Sequence, residues 1–348
     1  MNFQDLLITE DCTLLQAMER LDKTAKKTLF VAENEILQAS VTDGDIRRWI
    51  LSKGSLDARA REFANYKPRF AKQDRSNDIH KELINCSIDA LPIVNDGMKI
   101  IDIVLTPALT VDKRTELNLP VVIQAGGRGV RLYPYTKILP KPLIPIGEIP
   151  IVEHIINGFC KYGCNDYYMI VNYKKNMIKA YFNDLEKNYT ITFADENIPL
   201  GTGGGIGLLK GKIDKTFILT NCDVLITEDF AKILAHHKRQ KNLITMICCL
   251  KNFTIPYGVI ETDKTGHIEA MKEKPLFSFL TNTGCYIVEP EVLNDIPENT
   301  SIGFPDIAAK YMNRHNRLGM YPISENNWMD MGQFDAMKEM ERKLGVGE

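Results

Sequence analysis

The apolar run VVIQ, Val121 to Gln124, passes directly into AGGRGVRLYPYTKILPKP, Ala125 to Pro142. A short continuous apolar run reads as a buried strand, so the glycine-rich turn at Gly126, Gly127 and Gly129 opens at a strand end. Glycines without Cβ atoms let the backbone approach an anion and turn successive N–H groups toward it. Arg131 suits bidentate contact with phosphate oxygens, and Lys141 supplies a compact point charge. Pro140, Pro142 and Pro145 restrict the backbone around that lysine. The bland alternative is a glycine turn bearing surface cations. Two common phosphate loops are excluded: there is no G-x-x-x-x-G-K-[ST], and Leu132 stands where G-x-G-x-x-G needs its last glycine. GTGGGIG, Gly201 to Gly207, also fails that spacing.

From Val121 onward, strand-like runs (YYMIV, TITFA, TFILT, LITMICCL) alternate with amphipathic stretches such as PIVEHIINGFCKYG and KKNMIKAYFNDLEK. That alternation predicts an α/β fold, a Rossmann-like mixed but mostly parallel sheet with helices on both faces. Ligands on such sheets bind at the carboxyl ends of strands, which is where AGGRG falls.

A net charge of -2 across 348 residues argues against general binding to nucleic acid or an anionic membrane. Phosphate recognition must therefore be local. The opening MNFQDLLITEDC lacks a basic segment followed by an apolar one, and LITMICCL is too short to span a bilayer. The eight cysteines form no zinc-type set. Together these features predict a cytoplasmic protein with reduced thiols.

Residues 1–115 carry a weak internal repeat, separated by the polar stretch DKRTELNLP from a second domain at 116–348. TLLQAMERL and SNDIHKELI each precede two apolar strands around a polar turn, and Thr42 and Thr106 correspond at 64 residues (106 minus 42). VTDGDIRR and LPIVNDGMKIIDIV resemble an α+β CBS-domain pair, a regulatory module that commonly takes adenine nucleotides. The resemblance implies AMP or ATP near Thr42 and Asp45, with Leu109 where the second half would need its carboxylate. A packing or dimerisation module without ligand is the alternative.

GGRGVRLYPYTKILPKPL, Gly126 to Leu143, resembles the signature of the sugar-phosphate nucleotidyltransferase family, with Val130 replacing its usual Thr. Further segments follow in the expected order. The resemblance implies nucleotide contacts from Ala125, Gly126, Gly127, Gly129, Glu196, Pro199, Gly201 and Thr202, and catalytic cations at Arg131 and Lys141. It implies sugar-phosphate contacts from Tyr257, Gly258, Glu273, Lys274 and Asn282, with Gly284 beside them, and Mg²⁺ on Asp223 and Asp330. The implied reaction joins an NTP to a sugar 1-phosphate and releases pyrophosphate. TKILPKPLIPIGEIPIVEHII is similar to guanylyltransferases of GDP-sugar synthesis, including CBS-fused members acting on glucosamine 1-phosphate, so GTP is expected. Glu196 could accept both the N1–H and the amine of guanine, or simply face solvent. UTP, CTP and dTTP remain open, as do a catalytically inactive nucleotide sensor and a scaffold built through the CBS pair. A homo-oligomer is expected.

Overall fold

The computed structural model describes residues 3–24, 26–52, 54–73, 89–105, 115–312 and 317–346. Compactness divides the chain into two units. One holds Met1–Lys113 with Leu250–Leu280 and Ser324–Asn326, and the other holds Arg114–Cys249, Thr281–Ile323 and Asn327–Glu348. The segments 250–280 and 324–326, read from sequence as part of the second domain, thus group with the N-terminal residues.

The first unit shows its repeat in strand topology. Strands β1 (Leu7–Ile8), β2 (Thr28–Glu33) and β3 (Ile36–Thr42) form one sheet, and β4 (Ala71–Lys72), β5 (Ala90–Val94) and β6 (Ile100–Leu105) form another. In each, the first pair is parallel and the second antiparallel, with a register shift at Val31/Ala32 and at Ile93/Val94. The sheets join where Leu37 N–H donates to Met98 O at 2.9 Å and Ile100 N–H to Glu35 O at 2.8 Å. The helix expected over Ser76–Ile84, together with Thr106 and Leu109, lies outside the described residues.

The second unit is built on β7 (Val121–Ala125). A two-strand hairpin, β8 (Pro145–Ile146) and β9 (Ile149–Pro150), precedes the helix Ile151–Cys160. Then come β10 (Asp166–Val171), β11 (Thr190–Asp195), β12 (Phe217–Asn221), β13 (Val224–Ile226) and β14 (Ile244–Thr254). Strands β15 (Val259–Thr262) and β16 (Ile268–Lys272), which group with the first unit, form a two-stranded sheet among the described residues, and β17 (Leu276–Val288), β18 (Leu318–Ile323) and β19 (Trp328–Asp330) follow in the chain. The central sheet runs β11-β10-β7-β12-β17-β14-β18. Its β11/β10, β10/β7, β7/β12 and β14/β18 pairs are parallel, and β12/β17 is antiparallel.

Alternation along β7 explains the layers. Val121, Ile123 and Ala125 enter one apolar core with Ile155 and Phe159, while Val122 enters the opposite core with Ile206, Phe304 and Ile307. A strand buried on both faces reads as an uninterrupted apolar run. Among the described residues no helix is long and apolar enough to cross a membrane. The described cysteines are all free, and Cys86 lies outside the described residues.

Candidate active site

Strand register assembles the site. Val171 pairs with both Ala125 and Asp195, and Gln124 pairs with Asn221. The parallel strands β7, β10, β11 and β12 therefore end level, and the residues that follow them, Gly126, Asn172, Glu196 and Cys222, leave the sheet along one edge. A cavity of about 460 Å³ opens there, lined among others by Gly126, Gly127, Gly129, Arg131, Lys141, Glu196, Pro199, Gly201, Thr202 and Asp223.

Gly129 has φ +63, and a Cβ there would lie 2.7 Å from Thr136 Cγ2 and 3.2 Å from Lys141 Cβ. Only glycine combines that conformation with that approach. Thr136 Oγ1 donates to Gly129 O at 3.0 Å and pins the turn. Lys141 is seated behind it, its ammonium ion-paired with Asp223 Oδ2, and both side chains are largely withdrawn from water. Exposed Val130 keeps only its backbone N–H where the family resemblance leads one to expect a hydroxyl.

Glu196 is buried at the end of β11. A Cβ on Gly126 would sit 2.8 Å from its Oε2, and one on Gly205 would sit 2.3 Å from its Oε1. Two glycines thus make the slot for this carboxyl. Burial raises its pKa to about 7, and a hydrogen bond from the Leu200 N–H opposes the shift. Asn172 Nδ2 donates to Glu196 O at 3.2 Å, and Gln124 Nε2 to Thr202 O at 2.6 Å, tying the loop after β11 to two neighbouring strand ends.

A second cavity of about 240 Å³ shares Gln124, Arg131, Thr202, Asn221 and Asp223 with the first, and adds Asn282, Gly284, Tyr286 and Asp330. Strand β19 brings in Asp330 through the Val224↔Asp330 pair, reinforced by Met331 N–H donating to Asp223 O at 2.9 Å. Asp330 Oδ1 is buried without a hydrogen-bond partner among the described residues. Burial and the facing Asp223 raise the Asp330 pKa, while Lys141 and Arg131 oppose that shift. Two crowded carboxylates with an orphaned oxygen call for a cation. Among the described residues no set of three or more His, Cys, Asp or Glu surrounds them. The pair therefore fits a hard ion that completes its shell with phosphate and water oxygens, as Mg²⁺ does.

The nucleotidyl transferase family model matches residues 120–345. The chain belongs to this family. A mannose-1-phosphate guanyltransferase of Schizosaccharomyces pombe is 34% identical over 225 residues, covering 62% of this chain and 61% of that protein. A mannose-1-phosphate guanylyltransferase of Mycobacterium tuberculosis is 29% identical over 225 residues, with 62% and 61% covered. The chain thus spans about 61% of the length of these relatives. A crystal structure described as a putative glucose-1-phosphate thymidylyltransferase from Bacillus anthracis superposes with TM-score 0.50 at 20% identity, covering 66% of this chain and 96% of that one, and shares the fold.

Within this member of the nucleotidyl transferase family, Ala125 is the buried last residue of β7, and the other nucleotide-side positions named from sequence line the larger cavity. Asn282 and Asp330 line the smaller one. Tyr257, Gly258, Glu273 and Lys274 belong to the other compact unit, where Glu273 Oε2 lies 3.1 Å from the position of a Gly258 Cβ and Lys274 has φ +44. Thr42 and Asp45 engage each other. Thr42 N–H and Oγ1–H donate to Asp45 Oδ2 at 2.9 and 2.6 Å, and Asp45 N–H donates to Thr42 Oγ1 at 3.2 Å. This is a capping box that opens the helix Asp43–Leu51, and Arg48 also pairs with Asp45. Sequence reading missed Gln124, Asn172, Asn221 and Tyr286. The first three occupy or follow parallel strand ends, a usable signal once the register is known.

Proposed function

We propose that the chain transfers a nucleoside monophosphate from an NTP, GTP first, to a hexose or hexosamine 1-phosphate. The observation that carries this reading is the pair of adjoining cavities with Arg131 and Asp223 in their shared wall. One has room for a nucleotide and the other for a sugar, and the reacting phosphates would meet at the junction.

In this reading a phosphate oxygen of the sugar 1-phosphate attacks the α-phosphorus. The new P–O bond forms as the α–β bridge breaks, and pyrophosphate leaves with that bonding pair. The attacking phosphate is already anionic, so no general base is needed. Positioning and charge stabilisation supply the catalysis. The glycine turn and Arg131 hold the triphosphate, and Lys141 faces the α-phosphate. Asp223 and Asp330 would hold Mg²⁺, which supplies neutralisation of charge building on the phosphate oxygens.

GTP is favoured on two grounds. Relatives that this chain resembles carry guanylyltransferase names, with mannose 1-phosphate as their named sugar. Glu196, as a carboxylate, would also match the paired N–H donors of guanine. Glucosamine 1-phosphate is the sugar suggested by the sequence resemblance. The test is a screen of GTP, UTP, CTP and dTTP against mannose, glucose and glucosamine 1-phosphates with Mg²⁺, reading product masses. A GDP-sugar is the expected product. Another base in the product revises the nucleotide, and no nucleotide sugar with any pair overturns the reading.

A further inference from the structure

The prolines beside Lys141 leave carbonyls without donors. The helical turn Tyr135–Ile138 stops at Leu139, whose φ -99 and ψ 140 are extended, because the residue before a proline disfavours the helical region. Leu139 N–H still closes on Tyr135 O at 3.0 Å. The next helical donors, four residues on, would be Pro140 for Thr136 O and Pro142 for Ile138 O, and proline has no N–H. Two consecutive residues beyond β10 supply what is missing. Tyr173 donates its phenol proton to Thr136 O at 3.2 Å, and Lys174 Nζ donates to Lys137 O at 2.5 Å and Ile138 O at 2.7 Å. Tyr173 N–H also donates to Gly126 O at 3.4 Å, so the same pair holds the glycine turn. Lys174 itself has φ +51, a left-handed backbone unfavourable for a residue with a Cβ. Such conformations persist where the surroundings fix them, and they gather at functional sites.

The latched turn carries the anion loop. Thr136 Oγ1 donates to Gly129 O at 3.0 Å, a Cβ on Gly129 would sit 3.2 Å from Lys141 Cβ, and Lys141 pairs with Asp223. Val130, Tyr133 and Ile138 are 74%, 62% and 72% exposed, so packing holds little of this segment. A ring contact between Tyr135 and Phe334, centroids 5.4 Å apart, is a further anchor. We propose that Lys174 is a positioning residue for the nucleotide, its ammonium latching the turn Tyr135–Ile138 and thereby setting Gly129 and Lys141 for the triphosphate. This rests on the reading of the larger cavity as the nucleotide site. Lys174 does not line that cavity and acts through the turn. An ammonium suits the task, since a cation is favoured at the carboxyl end of a helical turn and bonds its last carbonyls directly.

The test uses the full chain with Mg²⁺ and calorimetric titration of GTP, UTP, CTP and dTTP, then follows the NTP that the native chain binds most tightly. Lys174→Gly removes the ammonium and suits φ +51, so the fold is spared the strained backbone. It should bind that NTP about 10-fold more weakly, with the number of sites per chain unchanged. Lys174→Arg keeps the charge and the donors and should return the dissociation constant to within about threefold of native. A merely structural role would lower the number of sites and leave the constant as it was. A native constant in Lys174→Gly, whatever the number of sites, or Lys174→Arg binding no better than Lys174→Gly, overturns the proposal alone. Absence of binding by every NTP overturns the nucleotide reading and this proposal with it.

Discussion

Lys141 and Asp223 form an ion pair in the wall of the larger cavity, with side chains only 12% and 10% exposed. A pair this sheltered is costly to break from one side, because the remaining charge is left without compensation. Asp223→Ala should abolish measurable nucleotidyl transfer and lower stability by about 3 kcal/mol in the ligand-free chain. Lys141→Met combined with Asp223→Ala should recover most of that stability without recovering activity. Chemical denaturation beside a pyrophosphate-release assay checks both, and normal turnover in Asp223→Ala would remove this carboxylate from the mechanism.

Glu196 gives the site a pH dependence with a definite sign. Its folded pKa of about 7 lies above the ordinary 4.5, so the folded chain favours the protonated form. Its stability contribution is complete below about 4.5 and is lost as pH rises through 7. Glu196→Gln should therefore be more stable than the native chain at pH 8, by roughly 2–3 kcal/mol at most. Guanine, which needs the carboxylate, should bind more tightly as pH rises from 6 to 8, by about tenfold per pH unit on the acid side. Calorimetry of GTP across that range checks the slope, and a flat profile would detach Glu196 from the base.

Gly129→Ala should cost about 1–2 kcal/mol for the left-handed backbone, with a further penalty from contact with Thr136. The added methyl also presses on the Lys141 stem, so GTP affinity should fall in the same variant. A thermal melt with and without GTP separates the two effects. Gly127→Ala is the matched control for the melt without GTP alone, because a Cβ there meets no protein atom within 4 Å.

The strand β7, its glycine loop and the alternation of strands and helices were legible because each is a local pattern. Asp330 was legible only through a family motif, since nothing near WMDMG announces that β19 pairs with β13 and sets it beside Asp223. Gln124, Asn172 and Asn221 escaped because a polar residue at a strand end has no meaning until the strand ends are known to be level. The burial of Glu196 escaped for a related reason, as Gly126 and Gly205 lie far apart in sequence yet form its slot. Thr42 and Asp45 show the opposite limit. The spacing that resembles a nucleotide contact is also the spacing of a capping box, and the side chains engage each other in that way.

Adenine nucleotide at Thr42 and Asp45 would therefore have to open that box. Thr42→Ala should cost about 1 kcal/mol through loss of the cap. If the proposed AMP or ATP site exists, nucleotide should raise the melting temperature of the native chain and not that of Asp45→Ala. Equal melting temperatures with and without AMP and ATP would leave these residues as a helix cap alone.

Attack at the α-phosphorus fixes the fate of each phosphate of the nucleotide. The chain is incubated with Mg²⁺, mannose 1-phosphate and GTP labelled either at the α- or at the γ-phosphorus. The α-label should appear in a GDP-sugar and the γ-label in pyrophosphate, released one for one. Label appearing instead in free orthophosphate, or α-label remaining in GTP, would contradict it.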